Sequence, residues 1–176
     1  MTTAKTSRVQ GVGVVVSSPD LEKRIADAKA ATQAEVMRRV TVRLHGIANP
    51  LADKVRGSIR RIPSWNLYGT NVRTILAGNV EARTVTGAGM AGVRIVINPT
   101  GLPDGLPAAM DTDKKRNVPG HGYRYGFRHP VFGNREVWAN QAGAPYFRGT
   151  LNRNRKVSRQ AVEAAIDDVL NDIAGK

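Results

Sequence analysis

Cysteine is absent from this chain of 176 residues. Its absence excludes a disulfide framework, a thiolate zinc site and a thiol nucleophile. Long apolar runs are missing as well: the longest, Val14 to Val16 with its glycine neighbours, falls far short of the roughly 20 residues that a membrane-spanning helix needs. We therefore expect no membrane span, and the polar first residues give no support for a secretory signal.

Aromatic and acidic residues are scarce. Aromatic residues make up 5% of the chain, and 14 Asp and Glu stand against 27 Lys and Arg, which gives a formal net charge of +13 and a pI near 10.9. Residues 1–62 carry 12 basic and 5 acidic side chains, and residues 111–157 carry 10 and 3. This excess attracts polyanions, and it fits either a solvated basic face or proximity to nucleic acid.

Motifs that carry chemistry are also lacking. His121 and His129 have no third ligand at metal-binding spacing, and no G-x-S-x-G elbow or P-loop lysine occurs. Gly87, Gly89 and Gly92 match the spacing of a dinucleotide fingerprint, but strand-like residues follow them where that fingerprint needs a helix. We interpret them as a hairpin tip and expect no enzyme, no metal and no cofactor.

What the N-terminal half does contain is a long helical pattern. Residues 1–8 are expected to be a flexible arm, and residues 9–16 form a β-branched run typical of a strand. Apolar residues then recur every three or four positions over residues 21–51, which predicts one long amphipathic helix. Pro50 should kink or break it, and the stripe continues over residues 51–62.

The middle of the chain is predicted to be an antiparallel β-meander followed by a loop and a last helix. Residues 99–128 lose periodicity and gain proline, glycine and lysine, which predicts a long basic loop. Apolar positions from Val162 to Ile173, with Ser158 as a cap, predict a C-terminal helix. The meander strands are three short runs rich in Val, Ile and Thr: residues 72–76, 80–86 and 93–97.

These elements predict a single α+β domain over residues 1–176. Its long N-terminal helix, kinked near Pro50, should pack on the small antiparallel β-meander together with the C-terminal helix. Residues 19–45 of the predicted helix alone span roughly 40 Å at the usual rise per residue, whereas a compact domain of this size has a radius of gyration of about 16 Å. We therefore expect part of the apolar stripe to meet a neighbouring subunit.

Two short motifs near the C-terminus carry a family resemblance. They read HPVFGNREVWANQ at residues 129–141 and PYF at residues 145–147, and an amphipathic helix follows. This order, a turn into a tryptophan-containing strand and then a proline-aromatic-phenylalanine step into a last helix, resembles the neck proteins of long-tailed bacteriophages, which are tail-completion or head-tail joining proteins. VRGSIR at residues 55–60 is similar to the end of that family's long N-terminal helix.

The resemblance implies a structural virion protein of the bacteriophage head-tail junction, assembled in the host cytoplasm. Such a protein forms a ring that joins or completes the tail and seals the DNA channel. Its implied partners are further copies of itself, neighbouring neck or tail-tube proteins and, without sequence specificity, the genomic DNA in the lumen, with no membrane. Six-fold and twelve-fold rings both stay open, as does the layer of the neck: adaptor, stopper, tail completion or terminator.

Two sets of candidate site residues follow from this interpretation. Basic side chains that face the lumen would contact phosphate without reading sequence, and the candidates are Lys114, Lys115, Arg116, Arg124 and Arg128. Four aromatic side chains and one aliphatic side chain would anchor either a subunit interface or the subunit's own core. These candidates are Phe132, Trp138, Tyr146, Phe147 and Ile59.

The alternative is a monomeric basic nucleic-acid-binding protein of ribosomal or architectural type, suggested by the pI alone. Such proteins interleave aromatic and basic residues on a sheet so that bases can stack on it. The predicted meander strands contain no aromatic residue. The sequence therefore favours the neck interpretation.

Overall fold

The computed structural model describes residues 10–17, 33–62, 72–87, 90–98, 100–102, 106–131 and 134–174. Its architecture is α+β, as predicted, with a long helix, two small sheets and a C-terminal helix. The expected arm at residues 1–8 and the helical pattern before Gln33 lie outside the described residues. No helix in the described ranges is long and apolar enough to cross a membrane.

The helices in chain order are α1 (Gln33–Arg60), α2 (Val72–Gly78), α3 (Leu106–Met110) and α4 (Arg148–Ala174). The strands are β1 (Gln10–Ser17), β2 (Val80–Gly87), β3 (Met90–Ile97), β4 (Lys115–Val118), β5 (Gly122–Val131) and β6 (Asn134–Ala142).

The chain forms two compact units, and both α1 and α4 contribute residues to each. The first unit comprises Met1–Gln10, Lys54–Val80 and Ile97–Leu151, and the second comprises Gly11–Asp53, Glu81–Val96 and Asn152–Lys176.

The second unit contains the sheet β1-β3-β2. Only two residues join β2 to β3, which makes them an antiparallel hairpin, so a strand and not a helix follows the glycine-rich segment. The predicted strands at 80–86 and 93–97 are thus confirmed. Core residues recur at three- and four-residue spacing on both long helices: Val36, Val40, Leu44 and Ala48 on α1, and Val162, Ile166 and Val169 on α4.

Pro50 lies inside α1 and does not end it, because the helix continues to Arg60. A proline removes one helical hydrogen bond and crowds the carbonyl four residues earlier, here that of Gly46. Both Pro50 and Gly46 are exposed, so the carbonyl that loses its partner lies on the solvent side. The expected second helical segment is therefore the last part of α1, and Val55 and Ile59 continue its buried stripe.

The prediction of a strand at residues 72–76 is wrong, because these residues belong to α2. Strand propensity depends strongly on context, and here the short helix buries Leu76 and Ala77 near its C-terminal end. The guanidinium of Arg73 also donates a hydrogen bond to the carbonyl of Ile62 at 3.0 Å. Tertiary packing and this polar contact outweigh the β-branched composition.

The prediction of a long loop over residues 99–128 is also wrong. This stretch contains α3, β4 and most of β5. A tight turn joins the two strands, with positive φ at Gly120 and Gly122 and a hydrogen bond from the amide of His121 to the carbonyl of Val118 at 2.9 Å. The strands were missed because the prolines, glycines and lysines of this stretch are typical of a loop, although aromatic residues alternate over residues 123–128.

Candidate nucleic-acid interface

The sheet β4-β5-β6 in the first unit has two faces of different chemistry. Lys115 pairs with Tyr125 and Arg116 with Arg124 across β4 and β5, and Arg128 pairs with Asn140 across β5 and β6. Directly opposed residues point to the same side, and successive residues alternate sides. The tyrosine face therefore carries Lys115, Asn117, Tyr123, Tyr125, Phe127, Val137 and Gln141, and the arginine face carries Arg116, Arg124, Arg128, Trp138 and Asn140.

The tyrosine face presents two aromatic rings to solvent. Tyr123 is 74% exposed and Tyr125 is 39% exposed. The ammonium of Lys115 lies 6.0 Å from the centre of the Tyr125 ring, at the limit of a cation–π contact. Phe127, two residues further along the same face, is buried. The exposed end of this face is thus a pair of aromatic rings, one of which has a cation over it.

The arginine face concentrates positive charge. Arg116 stands directly opposite Arg124, and like charges at opposed positions of a sheet repel each other. The Nε of Arg124 donates to the carbonyl of His121 at 2.6 Å, whereas the Nε of Arg116 is buried with no hydrogen-bond partner. The Oδ1 of Asn140 is likewise buried without a partner, while its Nδ2 donates to the carbonyl of Asn117 at 3.0 Å.

A second cation–π contact lies at the far end of the arginine face. The guanidinium carbon of Arg128 lies 5.5 Å from the centre of the Trp138 ring, and the tryptophan is 47% exposed. In sequence, β4 and β5 contain no Asp or Glu, and Glu136 is the one acidic residue of β6. A surface of this composition attracts anionic partners and offers them aromatic rings.

All five predicted basic residues lie on or next to this sheet, but not on one surface. Lys115 is on the tyrosine face, whereas Arg116, Arg124 and Arg128 are on the arginine face. Lys114 precedes β4, is exposed, and accepts a hydrogen bond on its carbonyl from the amide of Gly126 at 2.9 Å.

The candidate anchors divide between core and surface. Ile59, Tyr146 and Phe147 are buried in the chain's own core, and Trp138 is half exposed on the sheet. Phe132 lies outside the described residues. Of the anchors that the structure describes, Trp138 alone has a side chain available to a partner.

Sequence reasoning missed Tyr123, Tyr125 and Asn140 as site residues. The signal for the tyrosines was present, because residues 123–128 read YRYGFR, with aromatic residues at every second position. That is the period of a strand with one aromatic face. Asn140 has no such signal, since its place beside Arg128 depends on the pairing of β5 with β6.

Two buried polar groups fix the turn that leads from β6 into α4. The hydroxyl of Tyr146 donates to the carbonyl of Pro107 at 2.6 Å, and burial raises the pKa of that hydroxyl. The carboxylate of Asp111 accepts hydrogen bonds from the amides of Phe147 and Arg148, and its side chain is 6% exposed. Desolvation by burial raises the pKa of Asp111, against the opposing effect of the two amides.

The remaining chemistry of the described ranges is sparse. No three His, Asp or Glu residues among them are placed to hold a metal ion together.

Comparison of the chain with known proteins found no matching family model, no matching curated protein and no matching solved structure.

Proposed function

We propose that this chain is a structural virion protein of the head-tail junction of a long-tailed bacteriophage. It forms a ring that joins or completes the tail and seals the DNA channel. The observation that supports this proposal is the local fold of the motif residues. Trp138 lies on β6, the buried pair Tyr146 and Phe147 forms the turn, and α4 starts at Arg148, which is the order that the family resemblance implies.

The basic sheet fits a surface that lines a DNA channel. Its cationic side chains, on β4 and β5, include Lys115, Arg116, Arg124 and Arg128. Phosphate contacts of this kind hold DNA without reading its sequence, as a channel that passes a whole genome requires.

The charge pattern of α4 supports association between copies. The exposed basic residues Arg153, Arg155, Lys156 and Arg159 lie in its first half, whereas Asp167, Asp168 and Asp172 lie in its second half. Asp172, in the last turn, opposes the helix dipole, whereas the basic cluster begins beyond the first turn and lies outside its reach. Asp172 lies 3.5 Å from Arg43 within its own unit, and the exposed acidic half fits a basic surface on the next subunit of a closed ring.

Mass photometry of the purified chain at low and moderate salt tests this proposal, with and without the neighbouring virion proteins. Closed rings, alone or only with partners, would support it and give the stoichiometry. A monomer under every one of these conditions would overturn it.

A pair of charge reversals makes the test sharper. Asp168→Lys places a positive charge on the acidic half of α4 and should shift the population from rings to monomers. Asp113→Lys makes the same charge change at an exposed position outside α4 and should leave the rings intact. Equal loss of rings in both variants would mean that net charge, and not the α4 contact, controls assembly.

A monomeric basic nucleic-acid-binding protein is the second candidate, and one specific observation favours it. The sequence argument against it was the lack of aromatic residues on the predicted strands, but Tyr123, Tyr125 and Trp138 are exposed on strands of a basic sheet. A chain that stays monomeric in mass photometry and loses DNA affinity steeply with added salt would support this candidate.

A further inference from the structure

Exposed apolar side chains concentrate on one sheet of this molecule. Among the residues that the structure describes, seven large hydrophobic side chains are exposed, and four of them lie on β5 and β6: Tyr123, Tyr125, Val137 and Trp138. Clusters of this kind mark binding surfaces, and a tyrosine offers a flat apolar ring together with a polar tip.

The geometry of the tyrosine face fits a row of stacked bases. Tyr123 and Tyr125 are two residues apart on β5 and point to the same side, so their Cα atoms are roughly 7 Å apart. Adjacent bases of an extended strand can each stack on one ring, and such stacking tolerates any sequence because every base has a π-face. Asn117 stands opposite Tyr123 and offers polar groups beside the two rings.

The charges beside the rings fit the backbone of the same ligand. Lys115 stands opposite Tyr125, with its ammonium 6.0 Å from the ring centre. The ammonium lies over the ring, and its flexible four-carbon stem lets it move aside when a base stacks there and contact the phosphate of that nucleotide.

The rings also discriminate between single and double strands. In a duplex the faces of the bases are covered by their neighbours in the stack, so exposed tyrosines gain nothing from them. A cationic surface alone would bind the duplex through its phosphates. Exposed rings next to the cation therefore favour unpaired bases over paired ones.

We propose that the tyrosine face binds single-stranded nucleic acid, with successive bases stacked on Tyr123 and Tyr125 and a phosphate near Lys115. This inference rests on the nucleic-acid contact in the proposed function and specifies its ligand. For a protein at a DNA channel, such a site would hold an unpaired end or a locally opened segment of the genome.

Fluorescence anisotropy with a labelled oligothymidylate, free and annealed to its complement, tests the inference. The full chain should bind the single strand more tightly than the duplex at the same salt concentration. The double variant Tyr123→Thr with Tyr125→Thr keeps good strand formers in exposed positions and should lower the single-strand affinity by about tenfold or more, because each stacked base contributes substantially. Its affinity for the duplex should not change.

Two matched variants separate stacking from other effects. Val42→Thr removes an exposed apolar side chain on α1, outside the sheet, and should leave both affinities unchanged. The double variant Lys115→Gln with Arg124→Gln should weaken the binding of both ligands. It should also reduce the magnitude of the slope of log affinity against log salt by about 2. Thermal melting of each variant verifies that the fold is retained.

Equal weakening of single strand and duplex by the tyrosine variant, or no weakening of either, would overturn the inference. Mass photometry of the same samples measures the oligomeric state and so tests the proposed neck function separately. Rings without a tyrosine-dependent preference for the single strand would retain the neck function and remove the inference. A monomer that shows a tyrosine-dependent preference for the single strand would retain the inference and remove the neck function.

Discussion

The carboxylate of Asp111 caps α4 through the backbone amide of Phe147. Oδ1 accepts a hydrogen bond from the amide of Phe147 at 2.9 Å, and Oδ2 accepts one from the amide of Arg148 at 3.2 Å. The first amides of a helix have no partner within it, and an N-cap side chain normally comes from the residue just before the helix. Here the cap comes from a residue 36 positions earlier, so it ties the segment after α3 to the start of α4.

Replacing Asp111 with alanine should destabilise the first unit. The variant loses a cap and leaves the amides of Phe147 and Arg148 without their acceptor, so the free energy of unfolding should fall by about 1–2 kcal/mol. Urea unfolding followed by circular dichroism measures the change. Asp113→Ala, at an exposed position two residues away, should have little effect, and a similar loss in both variants would contradict a specific cap.

The raised pKa of Asp111 predicts the pH dependence of this contribution. Burial is the largest cause and raises the folded-state pKa above the ordinary value of 3.8. The unfolded state then releases its proton at lower pH than the folded state, so this group's contribution to stability is largest below the unfolded pKa and declines as the pH rises through the folded pKa.

Urea unfolding of the wild type and of Asp111→Asn, from about pH 3 to about pH 7, measures that decline. The asparagine variant keeps an oxygen acceptor and cannot ionise. The free energy of unfolding of the wild type, relative to that of the variant, should decrease with rising pH. An increase would mean that the two amides, and not burial, dominate the titration.

The hydroxyl of Tyr146 should contribute to stability through its single buried hydrogen bond. Tyr146→Phe keeps the ring and leaves the carbonyl of Pro107 without its 2.6 Å partner, which should cost about 1–2 kcal/mol. Tyr125→Phe removes the hydroxyl of a tyrosine that is partly exposed and serves as the control. Chemical denaturation of both variants should show a loss only for Tyr146→Phe.

The long helices could be predicted because their burial follows the helical period. Val36, Val40 and Leu44 all lie on the buried side of α1, so one-dimensional spacing carries the full signal. The predicted start of α4 is wrong, because the helix begins at Arg148 and Ser158, the expected cap, is buried inside it.

Pro50 pointed to an interruption, yet it lies on the exposed side, where the lost hydrogen bond costs least. The same spacing places Pro50 off the apolar stripe, and that stripe resumes at Leu51, so the helix continues past the proline.

The candidate site was predictable in its charges and not in its geometry. The basic residues of 114–128 stand out by composition, but their division between two faces depends on register. That register is set by the turn at Gly120 and Gly122, whose positive φ angles are fixed only in the folded chain. The family motif pointed to Trp138, whereas Tyr123 and Tyr125 lie in a segment that was predicted to be a loop.

Glu35 on α1 should titrate far below the ordinary range of a glutamate. Hydrogen bonds from Arg38 and then Arg39, with their charges, lower the pKa of Glu35 from 4.5 to about 2. Because the folded pKa is depressed, this group stabilises the fold above the unfolded pKa, and that stabilisation disappears as the pH falls from about 4.5 to about 2. NMR titration of the side-chain carboxyl carbon should give a midpoint near the lower value. In Arg38→Gln with Arg39→Gln it should return toward 4.5, and an unchanged midpoint would contradict the role of the arginines.

Gly126 and Gly46 should respond in opposite directions to the same substitution. A Cβ on Gly126 would lie 2.8 Å from the carbonyl oxygen of Gln141 and 2.9 Å from a methyl group of Val118. Because one of these neighbours is backbone, Gly126→Ala should separate β5 from β6 and lower the free energy of unfolding by about 1–3 kcal/mol.

A Cβ on Gly46 would meet nothing within 4 Å on the exposed side of α1, so Gly46→Ala should raise the free energy of unfolding by about 0.5–1 kcal/mol through helix propensity. Urea unfolding of both variants measures the contrast. Relief of the close approaches to Gln141 and Val118 shifts the strands that carry the arginine face. Gly126→Ala should therefore also weaken DNA binding, whereas Gly46→Ala should not. Destabilisation without any change in duplex affinity would mean that the arginine face does not contribute to DNA binding.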